Sequence, residues 1–119
     1  SETKISTVVE FADFIEKNKN KAIIYKNKSF LEQFNDKKQL EIAFNWMILY
    51  YRDVLSYKLN NNLNYFYDYE ENIKSLAKSL TMINLCHKIE VLVSLSEKIK
   101  FNVNNNMLMD KLVIKLVEG

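Results

Sequence analysis

NDKKQLEIAFNWMILYYRDVLSYKL, Asn35 to Leu59, is the stretch that fixes the fold class. Leu40, Ala43, Met47, Tyr50, Val54 and Tyr57 follow one another at alternating spacings of three and four, the repeat of a single helix face. Ile42, Phe44, Trp46, Ile48, Leu49, Tyr51 and Leu55 flank that face, so the helix is apolar on several sides and needs neighbours on several sides. Asp36 can cap it, because its carboxylate can accept the free amide hydrogens of the first turn. The spacing predicts one long helix over 36–59, central to a helical bundle.

The rest of the chain supplies the neighbours. Val8, Phe11, Ala12 and Ile15 make one face of a first helix that the polar KNKNK, 17–21, should end. A second segment carries Ile23, Ile24, Leu31 and Phe34. NNNLNYFYDY, 60–69, breaks the helical repeat and reads as a loop whose aromatics fold back over the core. A short amphipathic helix is expected around Glu70 to Lys78. Ser79 or Thr81 can cap the next helix, expected over 80–102, with the stripe Met82, Leu85, Ile89, Leu92, Ser96, Ile99 and Val103. Beyond an asparagine corner at Asn102 to Asn104, Asn104 can cap a final helix. Its apolar face holds Leu108, Met109, Leu112, Val113 and Leu116, with Asp110, Lys111 and Lys115 opposite.

Composition agrees. The 119 residues contain one glycine, Gly119, and no proline, whereas a sheet protein of this size needs many tight turns built on those residues. Asparagine, present fifteen times, supplies the corners. A 48% hydrophobic content with seven Phe and seven Tyr is enough for one real core. The expectation is an all-α single domain, 1–119, a bundle of five or six helices.

The chemistry the sequence can support is limited. Net charge is +2, too balanced to name nucleic acid, a membrane or an acidic substrate as partner. Cys86 is the single cysteine, which fits a reducing, cytoplasmic setting, and no apolar run approaches the ~20 residues of a membrane span. Cys86 and His87 are adjacent but point about 100° apart on a helix and lack further ligands, so neither a metal site nor a thiol catalyst is expected. No glycine-rich loop is present to cradle a nucleotide phosphate. The acidic residues are scattered among lysines, mostly as exposed i to i+4 partners, with no acid and base spacing. Two stretches have a binding reading beside a plain one. KNKNKAIIYKNK, 17–28, could track a phosphate backbone or be a solvated corner, and YFYDY, 65–69, could stack bases or pack as a loop. No catalytic, cofactor or metal residue is assigned, and the residues alone describe a helical interaction module.

Two segments carry a resemblance. WMILYYRDVLSYKLN, 46–60, resembles the WYRDLLLLKLG-type segment in the C-terminal domain of the delta-prime subunit of the bacterial DNA polymerase III clamp loader. LCHKIEVLVSLSEKIKFNVNNNMLMDKLVIKL, 85–116, is similar to that family's closing pattern of a long helix, an N-V-N-P corner and a last helix of the type L-x-L-E-x-L-L-x-x-L. Together they cover about half of the chain in the family's order. Asn105 stands where the family often has proline, Asp110 where it often has glutamate, and Asn60 where it often has glycine. The resemblance implies a collar domain: a non-catalytic subunit-assembly module, excised from a longer chain, that packs against the collars of the gamma/tau and delta subunits. Such a collar holds the loader ring together for sliding-clamp loading within the polymerase holoenzyme, touching DNA only through the assembly. The collar of gamma/tau itself and an unrelated helical nucleic-acid- or protein-binding module are the alternatives. Tyr50, Tyr51, Arg52, Asp53 and Lys58 are the candidate subunit-interface or tethering residues, and Asn102 and Asn104 form the capping corner. For Arg52, set among aromatics, a contact to a neighbouring subunit and a tether within the domain both remain open.

Overall fold

The computed structural model describes residues 2–18, 29–101 and 104–118. Among them the architecture is all helical: α1 (Glu2–Lys17), a helical turn at 29–33, α2 (Lys37–Asn60), α3 (Glu70–Ser79), α4 (Met82–Lys98) and α5 (Asn105–Glu118), with short 3-10 turns at Tyr67–Tyr69 and Ile99–Phe101. α2 runs through the middle and contacts α1, α3 and α4, while α5 packs on α4 and reaches α1. Its central place follows from its sequence, since Leu40, Ala43, Phe44, Met47, Tyr50, Tyr51 and Val54 are all buried. They share one face about 120° wide, and the half-buried Ile42, Trp46, Ile48, Leu49 and Leu55 on its flanks extend the covered arc past half of the helix circumference, so no single neighbour could cover it.

Local chemistry sets where each helix begins and ends. Asp36 adopts an extended backbone and accepts a 2.7 Å bond from the Gln39 N–H, an N-cap for α2. At the other end Asn61 takes the left-handed conformation, φ 56°, and its N–H returns to the Tyr57 carbonyl at 2.8 Å. Asparagine tolerates that conformation better than other residues with a Cβ, which is how a chain almost without glycine ends its longest helix. The turn former is thus Asn61; Asn60, which the resemblance aligned with the family glycine, is the last helical residue. Thr81, not Ser79, caps α4 by accepting from the Asn84 N–H at 3.1 Å; the Ser79 hydroxyl instead donates back to Leu76.

α4 is shorter than its apolar stripe suggested. The Ile99 N–H bonds to the Ser96 carbonyl three residues back, tightening the chain into a 3-10 turn that keeps Ile99 buried and turns Phe101 outward. Asn102 and Val103 lie outside the described residues, as do Ile23, Ile24 and nearly all of the lysine-rich stretch at 17–28. In the 29–33 turn and just after it, Phe30 and Phe34 carry the burial; Phe30 stacks between Phe11 and Phe34 with centroids 4.3 and 4.7 Å away. The last helix is buried through Leu108, Met109, Leu112, Val113 and Leu116, with Asp110, Lys111 and Lys115 exposed.

Asn104 starts α5: its Oδ1 accepts the backbone N–H of Asn106 at 2.9 Å and of Met107 at 3.2 Å. Replacing Asn104 by alanine removes both and should destabilise the protein by about 0.5–2 kcal/mol, whereas Asn106→Ala keeps the cap and should cost less. Urea unfolding of the two variants measures the difference, and equal losses would show that the cap does not anchor α5.

Candidate functional site: the YYRD segment and the surfaces around it

Tyr50, Tyr51, Arg52 and Asp53 lie on one turn of α2, and a helix turn sends four consecutive side chains in four directions. The Tyr50 hydroxyl donates to Asp13 Oδ1 on α1 at 2.7 Å, and the Tyr51 hydroxyl donates to Glu16 Oε2, also on α1, at 2.7 Å. Both rings are fully buried. Burial pushes the Tyr50 phenol far above its ordinary range, reinforced by the Asp13 carboxylate, and burial and Glu16 do the same to Tyr51. Both phenols therefore keep their protons and serve as donors.

The two acids reach further. Asp13 Oδ2 accepts the Asn72 side-chain amide of α3 at 2.6 Å. Glu16 Oε2 also lies 3.3 Å from the Lys88 ammonium of α4, with both side chains almost wholly buried. Lys88 donates in turn to the Leu116 carbonyl of α5 at 2.5 Å. That carbonyl is in the last turn of its helix, where no intrahelical donor remains, so the ammonium meets both an orphan acceptor and the negative end of the helix dipole. Asp13, Glu16, Tyr50, Tyr51, Asn72 and Lys88 thereby join all five helices. Asp13 and Glu16 are thus exceptions to the expectation that the acids are mostly exposed i to i+4 partners of lysines.

Asp53 has a different task. It is fully buried, and its carboxylate accepts three backbone N–H groups, from Asn64 at 3.2 Å, Tyr65 at 2.9 Å and Phe66 at 2.8 Å. One side chain of α2 thus folds the loop after it. Phe66 is pulled inward, edge-on to Tyr50 with ring centroids 5.3 Å apart, and Tyr69 half-buried against it. Tyr65 and Tyr67 point outward, so only part of the aromatic run folds back over the core. Lys58 tethers the same end of α2, its ammonium donating to the Ala77 carbonyl near the end of α3 at 2.9 Å.

Arg52 is the exposed member of the four, and no hydrogen bond or ion pair joins it to another described residue. It sits beside Leu55, Leu59 and Tyr65 on a shallow depression of the surface. The segment therefore divides its work: Tyr50, Tyr51 and Asp53 act inside the domain, and Arg52 faces out. Asn104 caps α5 and Asn102 lies outside the described residues. Cys86 and His87 are exposed on α4, and the described residues contain no group of His, Cys, Asp and Glu side chains fit to hold a metal ion. Sequence reasoning missed Asp13, Glu16 and Lys88. The signal was there, since Lys88 falls three residues after Leu85 and four before Leu92, and Glu16 falls four after Ala12, each on its helix's apolar face.

Asp53→Ala would strand three loop N–H groups whose bonds to it are all at least partly screened from water. It should destabilise the domain by roughly 2–4 kcal/mol, since each buried donor left unsatisfied costs about 1–3 kcal/mol. Urea unfolding would measure the loss, with hydrogen exchange at 64–66 rising first; unchanged exchange there would remove Asp53 from its role in the loop.

No helix among the described residues is long and apolar enough to cross a membrane. Comparison with known proteins places this architecture. Residues 8–118 match the family described as DNA polymerase III, delta subunit, C terminal. DNA polymerase III subunit delta' of Bacillus subtilis (strain 168) is 27% identical over 113 residues, covering 94% of this chain and 34% of that protein. The chain thus spans about a third of the length of the curated relative it matches. No solved structure matches. With the family match running from the first turns of α1 to the end of α5, the chain belongs to the family of C-terminal domains of the DNA polymerase III delta subunit.

Proposed function

We propose that this chain is the collar, or subunit-assembly, domain of a bacterial clamp-loader protein of the delta-prime type. It packs against the collars of the gamma/tau and delta subunits in the cytoplasm and holds the loader ring together while the sliding clamp is loaded on primed DNA. The domain itself carries no chemistry and meets DNA only through the assembly. The observation that carries this reading is the family match over 8–118, together with the delta' relative aligned to 94% of the chain. The delta' name of that relative favours this subunit over gamma/tau.

The surface agrees with an assembly role. Ile83 on α4 is 81% exposed, Phe101 just beyond it 76%, and Met107 on α5 71%. Met107 and Ile114, also exposed, are seven residues apart and so lie on the same side of α5. Large apolar side chains left in water on a domain with a complete core are the raw material of protein interfaces. Arg52 belongs to the same class of group, because arginine is enriched at interfaces and its planar guanidinium pairs with carboxylates and backbone carbonyls of a partner.

Reconstitution tests the proposal. The full-length protein that contains this domain should form a stoichiometric complex with gamma/tau and delta, seen by native mass spectrometry. Arg52→Ala should leave the unfolding free energy measured in urea within about 0.5 kcal/mol of the parent, as for exposed positions, yet weaken assembly by roughly 1–2 kcal/mol. Failure of the parent to assemble, with binding to oligonucleotides at low salt instead, would replace this reading by a nucleic-acid-binding one.

A further inference from the structure

Between the start of α1, the middle of α2 and the loop before α3 lies a cleft of about 290 Å³. Its lining is unusual for a helical surface: five of the eight lining residues are aromatic, Trp46, Tyr65, Phe66, Tyr67 and Tyr69, and Asp68 joins Ile5 and Leu49 among the rest. The base is fixed. Phe66 is buried and held by Tyr50, and Trp46 is half-buried, edge-on to Phe34 at 6.5 Å. The rim is open, with Tyr65 and Tyr67 more than half exposed. Asp68 is exposed, and neither an ion pair nor a hydrogen bond joins its carboxylate to another described residue. Glu70 and Glu71, also exposed, follow directly.

We propose that this cleft receives the guanidinium side chain of an arginine on a neighbouring protein chain; the proposal deepens the assembly reading and rests on it for the kind of partner. Ring faces carry negative charge density and attract a cation lying over them, and the attraction grows as the site excludes water. A guanidinium also stacks flat on such rings while its edge offers paired N–H donors to a carboxylate, which an ammonium cannot do. At about 290 Å³ the cleft lies at the small end of the roughly 300–1,000 Å³ of ligand pockets, which leaves room for one arginine side chain. The domain already makes one contact of this kind internally, with the Lys4 ammonium 5.7 Å from the centre of the Phe34 ring. The loop is pre-organised for it as well, because the three bonds to Asp53 hold Tyr65 and Phe66 in place before any partner arrives.

Trp46 is the single tryptophan of the chain and reports directly on the cleft. The 119-residue chain would be titrated with Nα-acetyl-arginine amide, and with the citrulline and lysine analogues, while following its emission. A saturable change should appear with arginine, with the neutral citrulline analogue about tenfold weaker and the lysine analogue intermediate. Asp68→Asn and Tyr67→Ala, both at exposed positions, should each weaken the arginine probe roughly three- to tenfold, and Tyr67→Phe, which keeps the ring, should not. Equal response to arginine and citrulline, absence of any response, or indifference to both variants would overturn the proposal. The same two variants in the reconstituted loader separate the two claims. Assembly at parental affinity in both would overturn the cleft alone, whereas selective arginine binding in a chain that joins no loader subunit would overturn the assembly reading alone.

Discussion

The arrangement of this domain depends on the acids of α1. Asp13 and Glu16 point into the bundle rather than into water, and a buried carboxylate is tolerable only with good partners. Their partners come from three other helices: Tyr50 and Tyr51 from α2, Asn72 from α3, Lys88 from α4. Lys88 then reaches the Leu116 carbonyl and so adds α5. Sliding or rotating any one helix past its neighbours would leave a polar group unsatisfied. The apolar side chains supply the driving force for collapse, while this network selects one docking of the helices among the many that would bury similar apolar area.

Selecting one docking would serve the assembly role proposed above, in which the outer faces of the domain meet other chains. An interface is only as well defined as the helices that carry it, and rigid presentation lowers the entropy lost on association. The same economy appears at the end of α2, where Asp53 orders the loop and Lys58 ties it to α3. A single turn of helix thus anchors α1, shapes the aromatic cleft and leaves Arg52 outside. Three members of one segment bond inside the domain and the fourth faces outward.

Most of the architecture was legible in the sequence because it rests on apolar periodicity and on capping residues, both of which are local. The faces Leu40–Val54 and Leu108–Leu116, the Asp36 cap and the amphipathic helix starting at Glu70 follow from spacing alone. The place of Glu16 and Lys88 on apolar faces was readable, but their pairing was not, because they are far apart in the chain and are brought together only by the packing of α1 and α4. A lysine on an apolar face could equally extend its ammonium to water. The left-handed residue fell at Asn61 rather than Asn60 because three consecutive asparagines are locally equivalent, and helix length decides among them. Likewise, nothing in YYRD by itself tells which member faces out; the helix phase relative to α1 does.

A double-mutant cycle between Glu16 and Lys88 tests the central claim most directly. Glu16→Gln, Lys88→Met and the double variant would be compared with the parent by urea unfolding. Each single change leaves a buried charge without its partner and should cost several kcal/mol, on the order of 3–5. The double variant should cost at least about 1 kcal/mol less than the sum of the two, the signature of groups that act together. Strictly additive losses would contradict the account, because they would mean that α1 and α4 are positioned by their apolar contacts and that the polar network merely follows.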